Sequence, residues 1–454
     1  MKVSLFHTIT SNTLYQAIGK AISIVLGLVI TALLTRHLGQ AGYGQYTLIT
    51  TVIILFGSVT DWGSGFIATR MASKQEFPTD QVYGNLLILR IFMTVIGTLI
   101  MIAFGYFKII NLPLPLITLG SLVLFAMALH NSMQVIFQVQ LKLQYGAIVG
   151  AVSSLAFLIF TILAVNQTTI TPQSIILYLL ISSTIAGLVG IYFGYRLTPI
   201  RYTLNPKLII NLIKESLPMG ALLVVFSIYN RLDSFLLQYF QGDTAVGLYG
   251  LAYKIHDNLV MGAAFFMNAL YPIIARSATP PSPLFTKEGV SSPFLKGRSG
   301  GVNGNTQRLY STAFHLLLIV GLVISVTFFL LARPIVLLLG GPEFLESVTI
   351  IRILMLATFI SYINHLTGYT LAALGWQRIS LTIATGVLIV NIILNLIFIP
   401  IYSYYASAVI TIVSEGIILI FTLSYLIHKQ HLKPHLQALP STIQNLLFNH
   451  RKLF

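Results

Sequence analysis

Long apolar runs constrain the fold of this chain more than any other feature. A helix needs about 20 residues to cross the roughly 30 Å hydrocarbon layer of a membrane. Runs of that length recur along almost all of the 454 residues, of which 56% are hydrophobic. The runs are long and continuous, whereas the strands of a membrane β-barrel would be short and would alternate in polarity. The sequence therefore predicts an all-α integral membrane protein.

Twelve membrane-spanning helices are predicted from these runs. A soluble core could not hide this much apolar surface, so we assign each run to the membrane. The predicted spans cover, within several residues at each end, 13–35, 45–68, 84–107, 115–138, 146–165, 173–195, 217–240, 245–275, 309–331, 348–373, 379–399 and 405–427.

The basic residues indicate orientation rather than a nucleic-acid partner. The net charge is +15, and placing both termini in the cytoplasm puts eighteen of the 26 Lys and Arg residues on that side. Four lie on the other side, and four lie within spans. This bias follows the positive-inside rule. We therefore expect cytoplasmic termini, a retained first helix and no nucleic-acid binding.

One segment interrupts the pattern of spans. Residues 277–306 are rich in Pro, Gly and Ser and are too polar to cross a membrane, so we predict a flexible cytoplasmic insertion. Residues 428–454 form a basic tail on the same side. The chain has no cysteine, which excludes disulfides and thiolate ligands. We expect no metal site.

An internal duplication is visible in two loop sequences. RHLGQAGYGQYTLI follows the first span, and QYFQGDTAVGLYGLAY follows the seventh, so Gly44 and Tyr46 match Gly247 and Tyr249. Six spans per copy would give both copies the same orientation, which is the parallel-repeat plan of many transporters. The predicted lobes are residues 1–200 and 201–427.

Four charges cluster in spans seven and eight. Arg231 and Asp233 are two positions apart and point to nearly opposite sides of a helix, so each needs another partner. With the turn centred near Asp243, Lys254 and Asp257 lie at similar depth. Two alternatives follow. Arg231–Asp257 and Lys254–Asp233 form a closed structural tetrad, or both cations attract an anionic cargo while Asp233 or Asp257 couples transport to protons or sodium.

Five further ionisable residues lie within spans. Lys20 and Arg90 lie near the predicted cytoplasmic boundaries, where they either extend to the headgroups or line a cavity and bind cargo. Asp61, in TDWGSGF, either stabilises a glycine-rich bend or couples an ion. Glu415 is the most isolated acid and is a second candidate for ion coupling. His365 is predicted to be a hydrogen-bonded packing residue.

Several stretches carry a family resemblance. They are LLTRHLGQAGYGQY, SLPMGALLVVFSIYNRLDSFLLQYF, VGLYGLAYKIHDNL, ALYPIIAR and the segment from Gly341 to Leu354. In order and spacing, the chain resembles oligosaccharide flippases of the polysaccharide transporter family. That family belongs to the superfamily that also contains multidrug and toxin extruders and lipid II flippases. Many relatives have two more spans at the C-terminus, and the insertion at 277–306 is a further departure.

The resemblance implies two six-helix lobes around a central cavity that opens alternately to each side. It implies a flippase, not an enzyme, in the bacterial inner membrane. The implied cargo is a polyprenyl-diphosphate-linked oligosaccharide, with membrane lipids, a polysaccharide polymerase and glycosyltransferases as expected partners. No cofactor is expected beyond a coupling proton or sodium ion. A multidrug extruder and a membrane glycan polymerase are the alternatives.

Overall fold

Helices are the regular elements in the part of the chain that the structure describes. The computed structural model describes residues 2–166, 170–278 and 304–434. Most of the predicted insertion and most of the basic tail lie outside these ranges. The helices are α1 (Lys2–Asp61), α2 (Ser64–Ser73), α3 (Thr79–Tyr106), α4 (Leu114–Val139), α5 (Leu143–Val165), α6 (Pro172–Leu197), α7 (Pro206–Ala278), α8 (Gly304–Leu330), α9 (Ala332–Leu339), α10 (Ser347–Ala373) and α11 (Gln377–Gln430), with a short 3₁₀ helix at Pro342–Phe344.

The twelve predicted spans are recovered as helical segments. Within the described residues, nine helices are long and apolar enough to cross a membrane. Three of these each contain one residue with non-helical backbone angles, at Gly39, Gly242 and Ser403. Each such residue separates two predicted spans, so the nine helices provide twelve membrane-crossing segments. The all-α, multi-pass fold class is confirmed.

The second predicted span, 45–68, is not one continuous helix. α1 ends at Asp61, and Trp62 and Gly63 have φ angles of 45° and 68°, in the left-handed region. α2 then begins at Ser64. Hydropathy alone does not register this backbone reversal, whereas the glycine-rich sequence around Asp61 predicts a bend. A break within an apolar span frees backbone polar groups that the surrounding protein must satisfy.

The described chain forms two compact units. The first comprises Met1–Leu251 with Ile335–Leu345, and the second comprises Ala252–Pro334 with Glu346–Phe454. The core of the first unit is apolar and joins α2, α3, α4 and the start of α7, with Met71, Leu86, Phe137, Leu208 and Leu212 fully buried. The core of the second unit joins α7, α8, α10 and α11, with Met267, Tyr310, Leu366 and Leu426 fully buried. The predicted lobe boundary at residue 200 concerns the two halves of the internal repeat and not these compact units. It stays a prediction.

Equivalent glycines of the duplication adopt the same backbone conformation. Gly39 has φ 65° and ψ −176°, and Gly242 has φ 80° and ψ −177°. These two residues are 203 positions apart, as are Gly44 and Gly247. Such positive φ angles favour glycine, which has no Cβ to clash. The spacing and the conformation together support the internal repeat.

The two copies also contact each other reciprocally. A Cβ atom on Gly44 would overlap the backbone oxygen of Asp243, and a Cβ atom on Gly247 would overlap the backbone oxygen of Gln40. Gln40 and Asp243 are themselves 203 positions apart. A contact in which each partner repeats the other's role is the signature of two-fold packing. Glycine is required at both positions because the backbones approach so closely.

Candidate functional site

Arg90 lies at the centre of a buried polar network in the first unit. This α3 residue is 3% exposed. Its Nη2 atom forms an ion pair with Asp61, and its Nε and Nη1 atoms each donate a hydrogen bond of 3.2 Å, to Ser64 and Ser132 respectively. Because Asp61 ends α1 and Ser64 begins α2, one guanidinium group joins both sides of the break in the second span.

The depth of Arg90 differs from the sequence-based placement. α3 begins at Thr79 rather than near residue 84, so Arg90 lies eleven residues, or about 17 Å, into the helix. Its side chain contacts α1, α2 and α4 and does not extend toward the helix end. The headgroup-contacting alternative is therefore wrong for Arg90. Lys20, on α1, is exposed, and both of its predicted roles stay open.

A small recess adjoins the ion pair. Asp61, Arg90, Thr60 and Asn131 supply its polar groups, and Gly57, Met127 and Ala128 complete its lining. An ion pair kept within a membrane span is a candidate functional group. The sequence reasoning missed Ser132 and Asn131. The signal that could have found them is the polar run HNS, residues 130–132, inside the otherwise apolar span four.

The first half of α7 packs directly against the break. A Cβ atom on Gly220 would lie 2.7 Å from two ring carbons and the backbone oxygen of Trp62. Ser227 donates a 2.7 Å hydrogen bond to Ser58 on α1. The break is therefore held by Arg90 on one side and by the backbone of α7 on another. The glycine-rich bend predicted around Asp61 is confirmed.

Asp233 has a buried hydroxyl partner on the same helix hairpin. Its carboxylate accepts hydrogen bonds from the hydroxyl of Tyr249 and from the backbone N–H of Ser234. Asp233 and Tyr249 are both buried. Tyr249 is the tyrosine that marks the second copy of the repeat, yet the sequence reasoning did not assign it this contact. Its sequence signal was the matched Tyr46, which indicated a repeat but not a partner.

The other charged residues of α7 differ in exposure. Arg231 and Asp257 are half-buried, and Lys254 is exposed. His256, which is buried, bonds through Nδ1 to the hydroxyl of Thr358 on α10 at 2.8 Å. Arg231 belongs to the first unit, and Lys254 and Asp257 belong to the second. The closed tetrad and the cargo-binding alternative both stay predictions.

Glu415 is held by an amide in the second unit. Asn364 on α10 donates through Nδ2 to Glu415 Oε2 at 2.7 Å and to the Glu415 backbone oxygen at 2.9 Å. Next to it, Ser414 accepts a 2.9 Å hydrogen bond from Asn391. His365 bonds to the Ser361 backbone oxygen at 2.8 Å, as expected for a hydrogen-bonded packing residue. Sequence reasoning missed Asn364, which lies beside His365 in the same helix.

Sequence comparison identifies the family. A family model described as polysaccharide biosynthesis protein matches residues 9–278, which is more than half of the chain. The chain belongs to this family. No curated protein sequence matches this chain.

Solved structures share the fold of this polysaccharide biosynthesis protein. The lipid II flippase MurJ, in an inward closed conformation, is 16% identical with a TM-score of 0.74, over 95% of this chain and 92% of that one. An inward-facing multidrug resistance MATE transporter of the MOP superfamily is 12% identical with a TM-score of 0.71, over 93% and 96%. A MOP superfamily transporter from Pyrococcus furiosus, whose binding pocket is described as reversed in polarity, is 13% identical with a TM-score of 0.63, over 95% and 96%. At these identities the likeness shows the fold.

The described residues of this family member contain no group of three or more His, Cys, Asp or Glu side chains that could hold a metal ion. The three acids discussed above have other kinds of partner. One acid pairs with a buried arginine at a helix break, one acid accepts from a tyrosine, and one acid accepts from an asparagine. Each of the three acids is therefore held by a different kind of donor.

Proposed function

We propose that this polysaccharide biosynthesis protein is a flippase for a polyprenyl-diphosphate-linked oligosaccharide. It moves this lipid from the cytoplasmic to the outer leaflet of a bacterial inner membrane by alternating access. The family match over residues 9–278 carries the proposal, because the fold alone is shared with multidrug transporters. A polymerase and glycosyltransferases of the same biosynthetic route are the proposed partners.

The charges within the spans support an anionic cargo. A glycan headgroup with a diphosphate meets a prohibitive desolvation cost in hydrocarbon unless the protein supplies a polar path. Lys254 is exposed and Arg231 is half-buried, so an anionic group can reach either side chain without prior unfolding of a helix. We assign Arg231 and Lys254 to diphosphate binding, with Lys20 as a further cation for the same headgroup.

Arg90 takes a different role in this proposal. Each of its three guanidinium nitrogen atoms is bonded, to Ser64, Ser132 or Asp61, and its side chain is almost completely buried. A buried charge of this kind holds its neighbours in place, and removing one partner leaves the other uncompensated. Arg90 therefore positions the broken second span and does not contact the cargo.

Coupling to an ion gradient requires an acid that changes its charge or binds a cation. The candidates are Asp233, Asp257, Glu415 and Asp61. We propose Asp233 and Glu415 as the main ones. Asp233 accepts a hydrogen bond from the hydroxyl of Tyr249, and Glu415 accepts one from the amide of Asn364. A carboxyl group can keep accepting a hydrogen bond from a neutral donor whether or not it carries a proton, as coupling requires.

The test is restoration of glycan export in a bacterial strain whose own flippase gene is deleted. The wild-type chain should restore export, whereas Arg231→Gln and Lys254→Gln should reduce export at least tenfold with unchanged membrane abundance. Arg378→Gln, which removes an exposed cation from the start of α11, is the matched control and should restore export fully. Full export with both Arg231 and Lys254 neutralised would contradict their assignment.

Multidrug extrusion is the alternative, and the MATE-like fold favours it as a second candidate. Proteoliposomes that contain the purified chain distinguish the two. A flippase should expose a labelled lipid-linked oligosaccharide to an external lectin and leave a cationic dye untransported. Dye transport without lipid translocation would replace the flippase proposal with the extruder.

A further inference from the structure

The connection between α6 and α7 is fastened to the start of α3. Arg201 forms an ion pair with Asp80, Nε to Oδ2, at 2.9 Å, and its backbone N–H donates to the Asp80 backbone oxygen at 3.1 Å. Asn85 donates to the Thr203 oxygen at 2.9 Å and accepts from the Asn205 N–H at 2.8 Å. These bonds give residues 198–205 a fixed course along the first unit, so the side chains of this connection have defined positions.

The first turns of α7 have two distinct faces. Leu208, Leu212 and Ser216, at spacings of four residues, are buried, and the two leucines join the core of the first unit. The outer face repeats at spacings of three and four residues and consists of Lys207, Ile210, Lys214 and Leu217.

This outer face alternates lysines with exposed aliphatic side chains. Ile210 is 48% exposed and Leu217 is 55% exposed. Aliphatic groups are costly in water, whereas lysines are costly in hydrocarbon. A face that carries both is suited to the boundary between headgroups and acyl chains, where lysine stems bury and ammonium groups reach the phosphates.

The end of α6 adds tyrosines and an arginine to the same stretch. The Arg196 guanidinium carbon lies 4.7 Å from the centre of the Tyr192 ring. The hydroxyls of Tyr195 and Tyr202 bond to each other, and all three tyrosines are exposed. Tyrosine at a membrane boundary places its ring among the acyl chains and its hydroxyl among the headgroups. The tyrosines therefore mark the same level as the outer face of α7.

Some charged residues of this stretch form ion pairs and others do not. Arg201 is paired with Asp80, and Glu215 is paired with Arg70. Arg196, Lys207 and Lys214 form no ion pair with a carboxylate among the described residues. Three cations are thus available on one side of the first unit, on the face predicted to be cytoplasmic. Negative headgroups are their electrostatic complement.

We propose that residues 192–217 bind an anionic phospholipid of the cytoplasmic leaflet. Arg196, Lys207 and Lys214 contact its phosphate groups, Ile210 and Leu217 contact its acyl chains, and Tyr195 and Tyr202 lie at the level of the headgroup. The bound lipid is a resident ligand and is distinct from the transported cargo, so this inference does not depend on the proposed function.

The test uses the full chain, delipidated in neutral detergent and titrated with phosphatidylglycerol, with bound lipids counted by native mass spectrometry. The variant Arg196→Gln/Lys207→Gln/Lys214→Gln should bind about a hundredfold more weakly, since each cation near an anionic surface contributes about fivefold in affinity. The matched control is Lys74→Gln/Lys142→Gln/Arg378→Gln, which removes three exposed cations from the same predicted face. It should retain affinity within about threefold.

Four results would overturn the proposal. The first is an equal loss of phosphatidylglycerol affinity in both triple variants, and the second is an affinity of the Arg196/Lys207/Lys214 variant within threefold of wild type. The third is binding of phosphatidylcholine as tight as that of phosphatidylglycerol. The fourth is displacement of phosphatidylglycerol by soluble pyrophosphate at matched phosphate concentration. The last would assign the cations to a free diphosphate instead of a lipid. The variant Arg196→Lys/Lys207→Arg/Lys214→Arg should bind as wild type does. Size-exclusion profiles and melting temperatures of all variants establish that loss of binding is not loss of folding.

Discussion

The intramembrane cations of α3 and α7 differ in how the protein surrounds them. Arg90 on α3 is sealed, ion-paired with Asp61 and bonded to two serines. Lys254 on α7 is exposed and Arg231 is half-buried. All three looked alike in the sequence, as single basic residues inside apolar runs. Burial encloses Arg90 among protein groups, whereas Lys254 and Arg231 keep accessible side-chain surface.

This difference gives a ranked set of consequences for stability, and the largest concerns Arg90. Arg90→Ala leaves the half-buried Asp61 without its counter-charge, and losing one partner of a buried pair costs about 3–5 kcal/mol. We expect little folded protein, measured as the monodisperse fraction after detergent extraction and as melting temperature. Arg90→Leu combined with Asp61→Leu should recover much of this loss, because no uncompensated charge remains. Normal folding of Arg90→Ala would remove the distinction between sealed and reachable cations.

The second-largest expected loss of stability comes from overpacking around the helix break. Gly220→Ala places a Cβ atom 2.7 Å from the Trp62 ring and backbone oxygen. Overpacking of this kind costs about 1–3 kcal/mol, so we expect a lower melting temperature. Gly27→Ala is the matched control, because no heavy atom lies within 4 Å of its added Cβ. That control should be neutral or slightly stabilising, since alanine favours a helix over glycine. Equal melting temperatures for the two variants would show that the break is loosely packed.

A smaller effect separates the charge of Arg90 from its hydrogen bonds. Ser132→Ala removes the acceptor of the Arg90 Nη1 bond while the Asp61 pair is kept. We expect a loss of about 1–3 kcal/mol, near the lower end because the ion pair still compensates the guanidinium. Thermal melting in detergent measures it, with Ser154→Ala as a control at a half-buried serine that bonds only within its own helix. A loss as large as that of Arg90→Ala would mean that the serine, not the charge pair, holds the network.

The smallest expected effect on stability lies at the exposed cation. Lys254→Gln should change the free energy of unfolding by less than about 0.5 kcal/mol, as is usual for an exposed position. The same variant is expected to reduce export at least tenfold, so stability and activity should separate at Lys254. A large fall in melting temperature would instead favour the structural tetrad, in which Lys254 compensates Asp233. The comparison between the two kinds of cation would then fail.

The membrane architecture could be predicted from the sequence because it depends on local composition. Each of the twelve spans is an apolar run, and hydrocarbon accepts an apolar helix whatever its neighbours are. The repeat was also visible, since Gly44 and Gly247 keep their identity at equivalent positions. The break at Trp62 and Gly63 was anticipated only as a bend, because two residues with left-handed angles leave the hydropathy of the span unchanged.

The site was less predictable because its contacts join residues that are distant in sequence. Asp61 and Arg90 were both identified as unusual, but nothing local indicated that they pair, or that Ser132 completes the network. Asp233 was matched by depth to Lys254, whereas its identified partners include Tyr249. Depth along a hairpin constrains a partner to within a turn or two, and the rotation of each helix decides among the candidates.

The sequence by itself determined that this chain is a multi-pass, duplicated helical membrane protein with rare charges inside its spans. Burial of apolar surface and the cost of unpaired backbone in hydrocarbon depend on composition along the chain. Only the tertiary structure decided which of those charges are sealed and which are reachable. That distinction depends on helix rotation and on close backbone approach at positions such as Gly220, and both are set by packing between segments far apart in the chain.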